Sequence, residues 1–309
     1  MIHDNVITGL ALNDKVRVIV ANTTELVRKA RDLHCLSNVA TAALGRTLTG
    51  AVLMSRTLKN ESDLLTIQIK GDGPLGGIVT TCDYNSNVKG YVYNPEVELP
   101  IRETDGKLDV GGAVGHSGQL QVVKSLGLKE PYVGLVNLIS GEIAEDLAYY
   151  YASSEQVNSI VALGVVINKD NEVEVGCGYM IQLMPGADEE CIRYLEDVSM
   201  LLPSVSQLFE ECDGDCETVL ERLFPKFAVF NDDGTFAEDK ENINYRILNK
   251  SVCAYECDCS RERMERNLMS LGKKELTELA EEQETTELVC HFCNKKYEFT
   301  SKQLMELIS

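Results

Sequence analysis

Through most of the first 185 positions, hydrophobic and polar residues alternate with a period of two. Residues 16–20 (Val-Arg-Val-Ile-Val), 64–70, 77–82, 88–93, 120–124, 133–138, 157–167 and 174–183 are rich in Val, Ile and Thr and are separated by turn residues. That pattern predicts successive strands in a sheet with one covered face. Two helical stretches intervene early. One is capped by Asn22 or Thr23 and runs towards Cys35. The other spans about 37–58, where Ala, Gly and Thr allow other backbones to approach, so it is placed at the centre of the first domain. Ser140 reads as the N-cap of a helix over 142–152. Its first turns carry Glu142, Glu145 and Asp146, where the dipole favours anions, and the three carboxylates read as a solvated helix start rather than an acid–base pair. Cys35, Cys82 and Cys177 read as packing thiols, Cys35 as a small buried one.

Pro185-Gly186 marks a boundary, beyond which the period lengthens towards four. Cys191, Tyr194, Leu195, Val198, Leu201 and Leu202 share one helical face, and Val205, Leu208 and Phe209 continue it past Pro203. The acidic turn over 211–216 leads to a helix over 217–224 that ends at Pro225. Its acidic setting disfavours thiolates at Cys212 and Cys216. The stretch 230–244 reads as an acidic surface insertion. The last part is predicted as a Cys-x-Cys strand, a helix over 261–268, an acidic helix to Glu284, a knuckle and strand over 289–299, and a closing helix over 302–308. The expected fold class is α+β: a mixed or antiparallel sheet core with packed helices (1–185), a helical linker (186–250) and a small C-terminal zinc-binding domain (251–309).

Composition narrows the function classes. A net charge of -20 and a pI near 4.6 argue against a phosphate-binding surface for nucleic acid and favour solubility. The start, Met1-Ile2-His3-Asp4, lacks the basic and apolar runs of a signal peptide. The apolar stretch over 39–58 is broken by Arg46 and Arg56 and reads as a buried helix rather than a membrane span. Eleven cysteines in such a chain fit a cytoplasmic protein whose thiols serve metal or redox work. Gly71 to Gly77 is no phosphate cradle, since a strand follows where a helix would have to begin. Gly115-His116-Ser117-Gly118 lacks the final glycine of a nucleophile elbow. No nucleotide site is expected.

The candidate chemistry lies at Cys257-Asp258-Cys259 and Cys290-His291-Phe292-Cys293. Two close pairs of soft ligands suit one tetrahedral zinc, with no position left open for a reacting water, so the metal is structural or regulatory and no catalytic residue is assigned. Arg261, Arg263, Lys295 and Lys296 can offset the charge of four thiolates. Cys253 is the nearest spare thiol and a competitor as ligand or disulfide partner. A disulfide inside Cys-x-Cys closes a small strained ring that is readily reduced again, which suits a reversible switch.

These motifs resemble the redox switch of the heat-shock protein 33 family, redox-regulated holdase chaperones of bacteria. The likeness includes Ser260-Arg261-Glu262-Arg263, Ser270-Leu271-Gly272-Lys273 and Asn294 around the cysteines. It extends through Gly45-Arg46-Thr47, the Gly71 to Gly77 run, Gly115 to Gly118, Ser140 to Leu147 and Gln182 to Ala187. The resemblance implies an ATP-independent holdase with one zinc per chain in the reduced form. It implies disulfides Cys257–Cys259 and Cys290–Cys293 on oxidation, unfolding client proteins as partners, and a homodimer when oxidised. Two other readings of the cluster are a constitutive adaptor with a zinc knuckle and a thiol–disulfide enzyme using Cys290-His291-Phe292-Cys293. The latter motif belongs at the head of a helix in a parallel-sheet fold, and a strand is predicted after it here.

Overall fold

The computed structural model describes residues 3–225 and 245–307. Its first elements are β1 (Asn5–Ala11), β2 (Val16–Asn22), α1 (Thr24–His34) and α2 (Asn38–Ser55), followed by the meander β3 (Leu64–Gly71), β4 (Ile78–Asp83) and β5 (Asn87–Val92). Then come α3 (Val110–Val114), β6 (Gly118–Ser125), β7 (Tyr132–Asn137), α4 (Ala144–Tyr150), β8 (Ser159–Ile167) and β9 (Val173–Leu183). Three helices follow, α5 (Glu189–Leu201), α6 (Val205–Glu211) and α7 (Cys216–Leu223). Beyond residue 244 lie β10 (Tyr245–Val252), β11 (Ala254–Tyr255), α8 (Arg261–Met269), α9 (Lys273–Glu282), β12 (Thr285–Val289), β13 (Lys296–Thr300) and α10 (Ser301–Glu306). The expected insertion at 230–244 lies outside the described residues.

By compactness the chain divides into two units, Met1–Tyr255 and Glu256–Ser309. The first holds two sheets. One has five antiparallel strands in the order β10-β1-β2-β9-β8. The other runs β11-β5-β4-β3-β6-β7 and is antiparallel except where β11 lies parallel to β5. Helix α2 is buried almost all round, packing on strands of both sheets, as its small residues predict. A Cβ on Gly45 would sit 2.8 Å from Val165, and one on Gly50 2.6 Å from Leu147, so these glycines set how closely the neighbouring elements approach.

The period-two pattern of β2 has a direct use. Ile19 and Ala21 point into the core around α2, while Val16, Val18 and Val20 point to the opposite face, where α5, α6 and α7 cover them. Within the segment assigned from sequence to a linker, α5, α6 and α7 therefore pack in the first unit, on the face of the five-stranded sheet opposite α2. Leu208, Phe209, Val219, Leu220, Leu223 and Phe224 supply their buried side. The other side of α5 leaves Ile192, Met200 and Leu201 exposed, the last two at 84%. Leu201 was expected on the buried face, but it is the last residue of α5, where the chain straightens towards Pro203.

Three local expectations need correction. Of the two expected caps of α1, Thr23 does not serve with its side chain, which bonds Thr49 instead, while the Asn22 side-chain oxygen accepts from the Thr24 N–H at 3.1 Å. The Asp4 carboxylate caps from outside the helix, accepting from the N–H groups of Glu25 (3.0 Å) and Leu26 (2.6 Å). Cys35 is exposed, because it ends α1 in the left-handed conformation, φ 50°. The helix expected from residue 142 begins at Ala144. The buried Asp146 carboxylate gathers the N–H groups of Ile139, Ser140 and Ile143, while Glu142 stays outside the helix and is only 23% exposed. There it bridges Arg46 at 2.6 Å and Arg102 at 2.5 Å, which ties α2 to the loops beside it rather than solvating a helix start.

Burial raises the Asp4 carboxyl to about 6, against the pull of the two backbone donors. The folded chain therefore holds this proton more tightly than the unfolded chain. The resulting stabilisation is full below the unfolded value and is lost as pH rises through about 6. Relative to Asp4→Asn, the wild type should gain about 2 kcal/mol between pH 7 and pH 4. Urea unfolding midpoints of the two proteins across that range check it.

Candidate metal centre

The second unit has little core. Met264, Leu268, Leu276, Cys290, Tyr297, Phe299 and Leu304 are its buried apolar residues, supplied by α8, α9, α10 and the hairpin of β12 and β13. Helices α8 and α10 are locally well specified. Ser260 accepts from the Arg263 N–H at the head of α8, and Thr300 forms a capping box with Gln303 at the head of α10. A core of this size supplies little folding free energy without a further tie.

The cysteines provide one. Cys290 to Lys295 forms the knuckle between β12 and β13. The Cys293 and Asn294 N–H groups both donate to the Cys290 carbonyl, at 3.2 and 2.8 Å, and Asn294 takes a positive φ of 55° to close the turn. Cys257 and Cys259 come from irregular chain after β11, not from the expected strand, which stops at Tyr255. The four sulfurs of Cys257, Cys259, Cys290 and Cys293 lie within 4.8 Å of one another. Cys259 and Cys293 are 3.3 Å apart, and Cys257 and Cys290 3.7 Å. A tetrahedral ion with bonds of about 2.3 Å to sulfur sets its ligands about 3.8 Å apart, so one metal fits with small adjustments. Cys253 stands apart, with its thiol on the Asn22 carbonyl in the first unit at 3.5 Å.

The donor set is chemically uneven, in the way a metal would exploit. Burial pushes the Cys257 thiol up, and it raises Cys293 to about 11. Burial would also raise Cys259, but the Tyr297 hydroxyl, donating at 3.1 Å, and then the other three cysteines more than reverse it, so this thiol lies below its ordinary value. Cys259 is thus held closer to the thiolate than Cys257 and Cys293 are. A dication would displace the remaining protons, which makes metal affinity rise with pH. Tyr297 acts as the outer-shell donor that fixes Cys259. Tyr297→Phe keeps the ring in the core and removes that bond. Zinc affinity should fall about tenfold, measured by competition with a chromogenic chelator.

The cations expected to offset the cluster have specific partners. Arg263 pairs with Asp258 at 2.7 Å and Lys296 with Glu287 at 3.0 Å. Arg261 stacks over Phe299 and donates to the Glu298 carbonyl. Lys295 lies over the Tyr297 ring at 5.2 Å, and its carbonyl accepts from Cys290 N–H. The network therefore braces the knuckle. No local sequence pattern marks Tyr297 as a sulfur donor, because its partner Cys259 lies 38 positions away.

Elsewhere the glycine run is a packed turn. The N–H groups of Gly73 and Leu75 bond the Val114 and Ala113 carbonyls, and β4 follows. Nδ1 of His116 bonds the Ser140 carbonyl and the Ser117 N–H bonds Asp72, which is turn architecture rather than a nucleophile site. The Cys-x-x-Cys pair sits in a β-knuckle, not at the head of a helix. Among the described residues no helix is long and apolar enough to cross a membrane.

Comparison with known proteins converges on one family. The family model described as "Hsp33 protein" matches residues 4–300. A 33 kDa chaperonin of Acetivibrio thermocellus is 47% identical over 306 residues, covering 99% of this chain and 97% of that protein. One from Clostridioides difficile is 43% identical and covers 99% of both chains. Among solved structures, the 33 kDa chaperonin (heat shock protein 33 homolog) of Thermotoga maritima superposes with a TM-score of 0.84 at 38% identity. It covers 99% of this chain and 98% of that one.

Proposed function

Because the chain belongs to the Hsp33 family of chaperones, we propose that it is a redox-regulated, ATP-independent holdase, inactive when reduced and metal-bound and activated by oxidation of its four-cysteine cluster. The observation that carries the reading is the closed set of four sulfurs in a unit whose core has seven buried apolar residues among the described ones. Zinc, when bound, would keep the four sulfurs as thiolates and supply folding free energy on the order of 10 kcal/mol.

The residues then act in sequence. Oxidation of Cys257 with Cys259, and of Cys290 with Cys293, consumes all four ligands: two S–S bonds form and two equivalents of hydroperoxide are reduced to alcohol and water. This pairing follows the family resemblance. Short sulfur separations run across the pairs, Cys259 to Cys293 and Cys257 to Cys290, the arrangement suited to a shared ion. Without its ligands the unit 256–309 loses its tie and unfolds. Cys257 is two residues beyond Tyr255, so disorder there reaches β11 directly along the chain.

The linker 186–250 is the proposed responsive element. Helices α5 to α7 cover the valine-rich face of the five-stranded sheet. Their release would uncover Val16, Val18, Val20, Tyr179 and Ile181 together with their own apolar side, a surface fit for unfolding clients. The net charge of -20 keeps such complexes dispersed. We place the active form as a homodimer in the cytoplasm, with one zinc per reduced chain and no nucleotide or nucleic acid in the cycle. Light scattering of a chemically denatured client tests the reading. Peroxide-treated protein should suppress aggregation without nucleotide and reduced protein should not. Equal suppression by both forms would sink it.

A further inference from the structure

One cleft of the first unit is lined by a guanidinium that the protein only partly uses. It lies where α2, the loop 106–108 and α6 meet β8, and its volume is about 370 Å³, within the range of small-ligand clefts. Arg46 lines it with 14% of its side chain exposed. Its Nη1 donates to the Glu142 carboxylate at 2.6 Å, while the buried Nε and the Nη2 find no hydrogen-bond partner among the described residues. Glu142 is divided between Arg46 and Arg102, and Arg102 has Asp105 besides. A largely buried cation with unspent donors is stabilised by anything that accepts from it.

The rest of the lining defines what would fit. Lys107, exposed, adds a second cation, and Ala42 and Leu108 add apolar wall. Strand β8 supplies backbone, because it is the edge of the five-stranded sheet. The Leu183 N–H bonds the Asn158 carbonyl, so the even-numbered residues of β8 bond β9 and the backbone groups of Leu163 and Val165 turn to the open edge. Val165 stands beside Arg46, since a Cβ on the neighbouring Gly45 would be 2.8 Å from it. Helix α6 closes the cleft from the other face of the sheet. There a Cβ on Gly164 would meet the Ser206 hydroxyl at 2.3 Å, and Glu210 contributes the one carboxylate of the lining.

We propose that this cleft binds a small organic monocarboxylate, with its carboxylate on Arg46 and Lys107 and its apolar body along Ala42, Leu108 and the edge of β8, and that its occupation holds α6 docked. The planar guanidinium matches a carboxylate, and Glu210 disfavours a second negative charge on the ligand. A phosphate dianion would carry that second charge and leave the apolar wall uncovered. The regulatory half of the proposal rests on linker release as described above. Residues 204–207 and Glu210 form one wall, and Arg46, Lys107 and β8 form the others, so the complete site exists only while α6 is docked. A ligand that binds the docked form alone lowers the population of the lifted form by the factor 1 + [L]/Kd. Such an anion would delay exposure of the client-binding surface without touching the metal cluster.

Titration of the full-length, reduced, zinc-loaded chain with hexanoate tests the proposal, with hexan-1-ol and inorganic phosphate as comparison probes. Amide NMR signals of Gly106, Gly164 and Ser206 should move saturably with hexanoate, with a Kd on the order of 1 mM. Hexan-1-ol and phosphate should each bind on the order of tenfold more weakly. Lys107→Gln, at an exposed position that leaves the fold intact, should weaken hexanoate about threefold, and Arg46→Gln on the order of tenfold. At about ten times Kd, hydrogen exchange in α6 should slow about tenfold while β3 is unchanged. Equal binding of hexanoate and hexan-1-ol would overturn the site, as would tighter binding of phosphate or a hexanoate affinity indifferent to both substitutions. Unchanged exchange in α6 at saturation would overturn the claim that the ligand holds the helix. If hexanoate slows α6 exchange and yet peroxide-treated protein gains client protection as fast as without it, the site stands and linker release as the gate of activity fails.

Discussion

Serine in place of Cys290 is expected to abolish zinc binding and unfold residues 256–309 while the first unit keeps its fold. Cys290 is the most buried of the four ligands, at 5% exposure, and its carbonyl and N–H close the knuckle between β12 and β13. A hydroxyl is a poor ligand for a soft four-sulfur site, and the loss approaches the whole metal contribution, on the order of 10 kcal/mol. Zinc content should drop from about one per chain to near zero. Hydrogen exchange should show α8, α9 and α10 unprotected and β3 to β6 unchanged. The variant should also protect clients without oxidant. Zinc-free protein that remains inactive would separate metal binding from regulation.

Phe209→Ala should reach a similar endpoint by another route. Phe209 is 1% exposed beneath α6, which packs on β8 and β9 of the five-stranded sheet. Truncating a buried phenylalanine costs about 3–5 kcal/mol, a large share of whatever holds the linker helices down. The variant should retain its zinc yet show faster amide exchange in α5, α6 and α7, with client protection already present in reduced protein. Met200→Ala, at a residue 84% exposed, provides the contrast, since exposed positions usually move stability by less than about 0.5 kcal/mol. Matching behaviour of the two variants would mean that linker docking does not gate activity.

The readable parts of the chain are those where one local period or one chemical requirement dominates. Residues 64–70 alternate cleanly because β3 has one face in a core, residues 16–20 are nearly all apolar because β2 is covered on both faces, and α2 announced its burial through Gly45, Gly50 and its alanines. The four metal-site cysteines were legible for a different reason: close pairs of soft ligands have few other uses. Strand β10 was missed because it is an edge strand whose side chains are largely exposed, leaving no alternation to detect. Helix α3 was missed because its sequence, Val-Gly-Gly-Ala-Val, has poor helix propensity, and it is held by the Asp109 cap and its packing. Asp4 capping α1 and Glu142 bridging Arg46 and Arg102 are contacts between distant positions, which no local pattern carries.

Time-resolved hydrogen exchange during peroxide treatment, with zinc release followed by a chelator on the same sample, tests the central claim most directly. The account predicts that residues 256–306 lose protection as zinc leaves, that 189–223 follow, and that β3 to β6 stay protected while client binding appears. Client binding that appears while 189–223 remain as protected as in the reduced protein would contradict it.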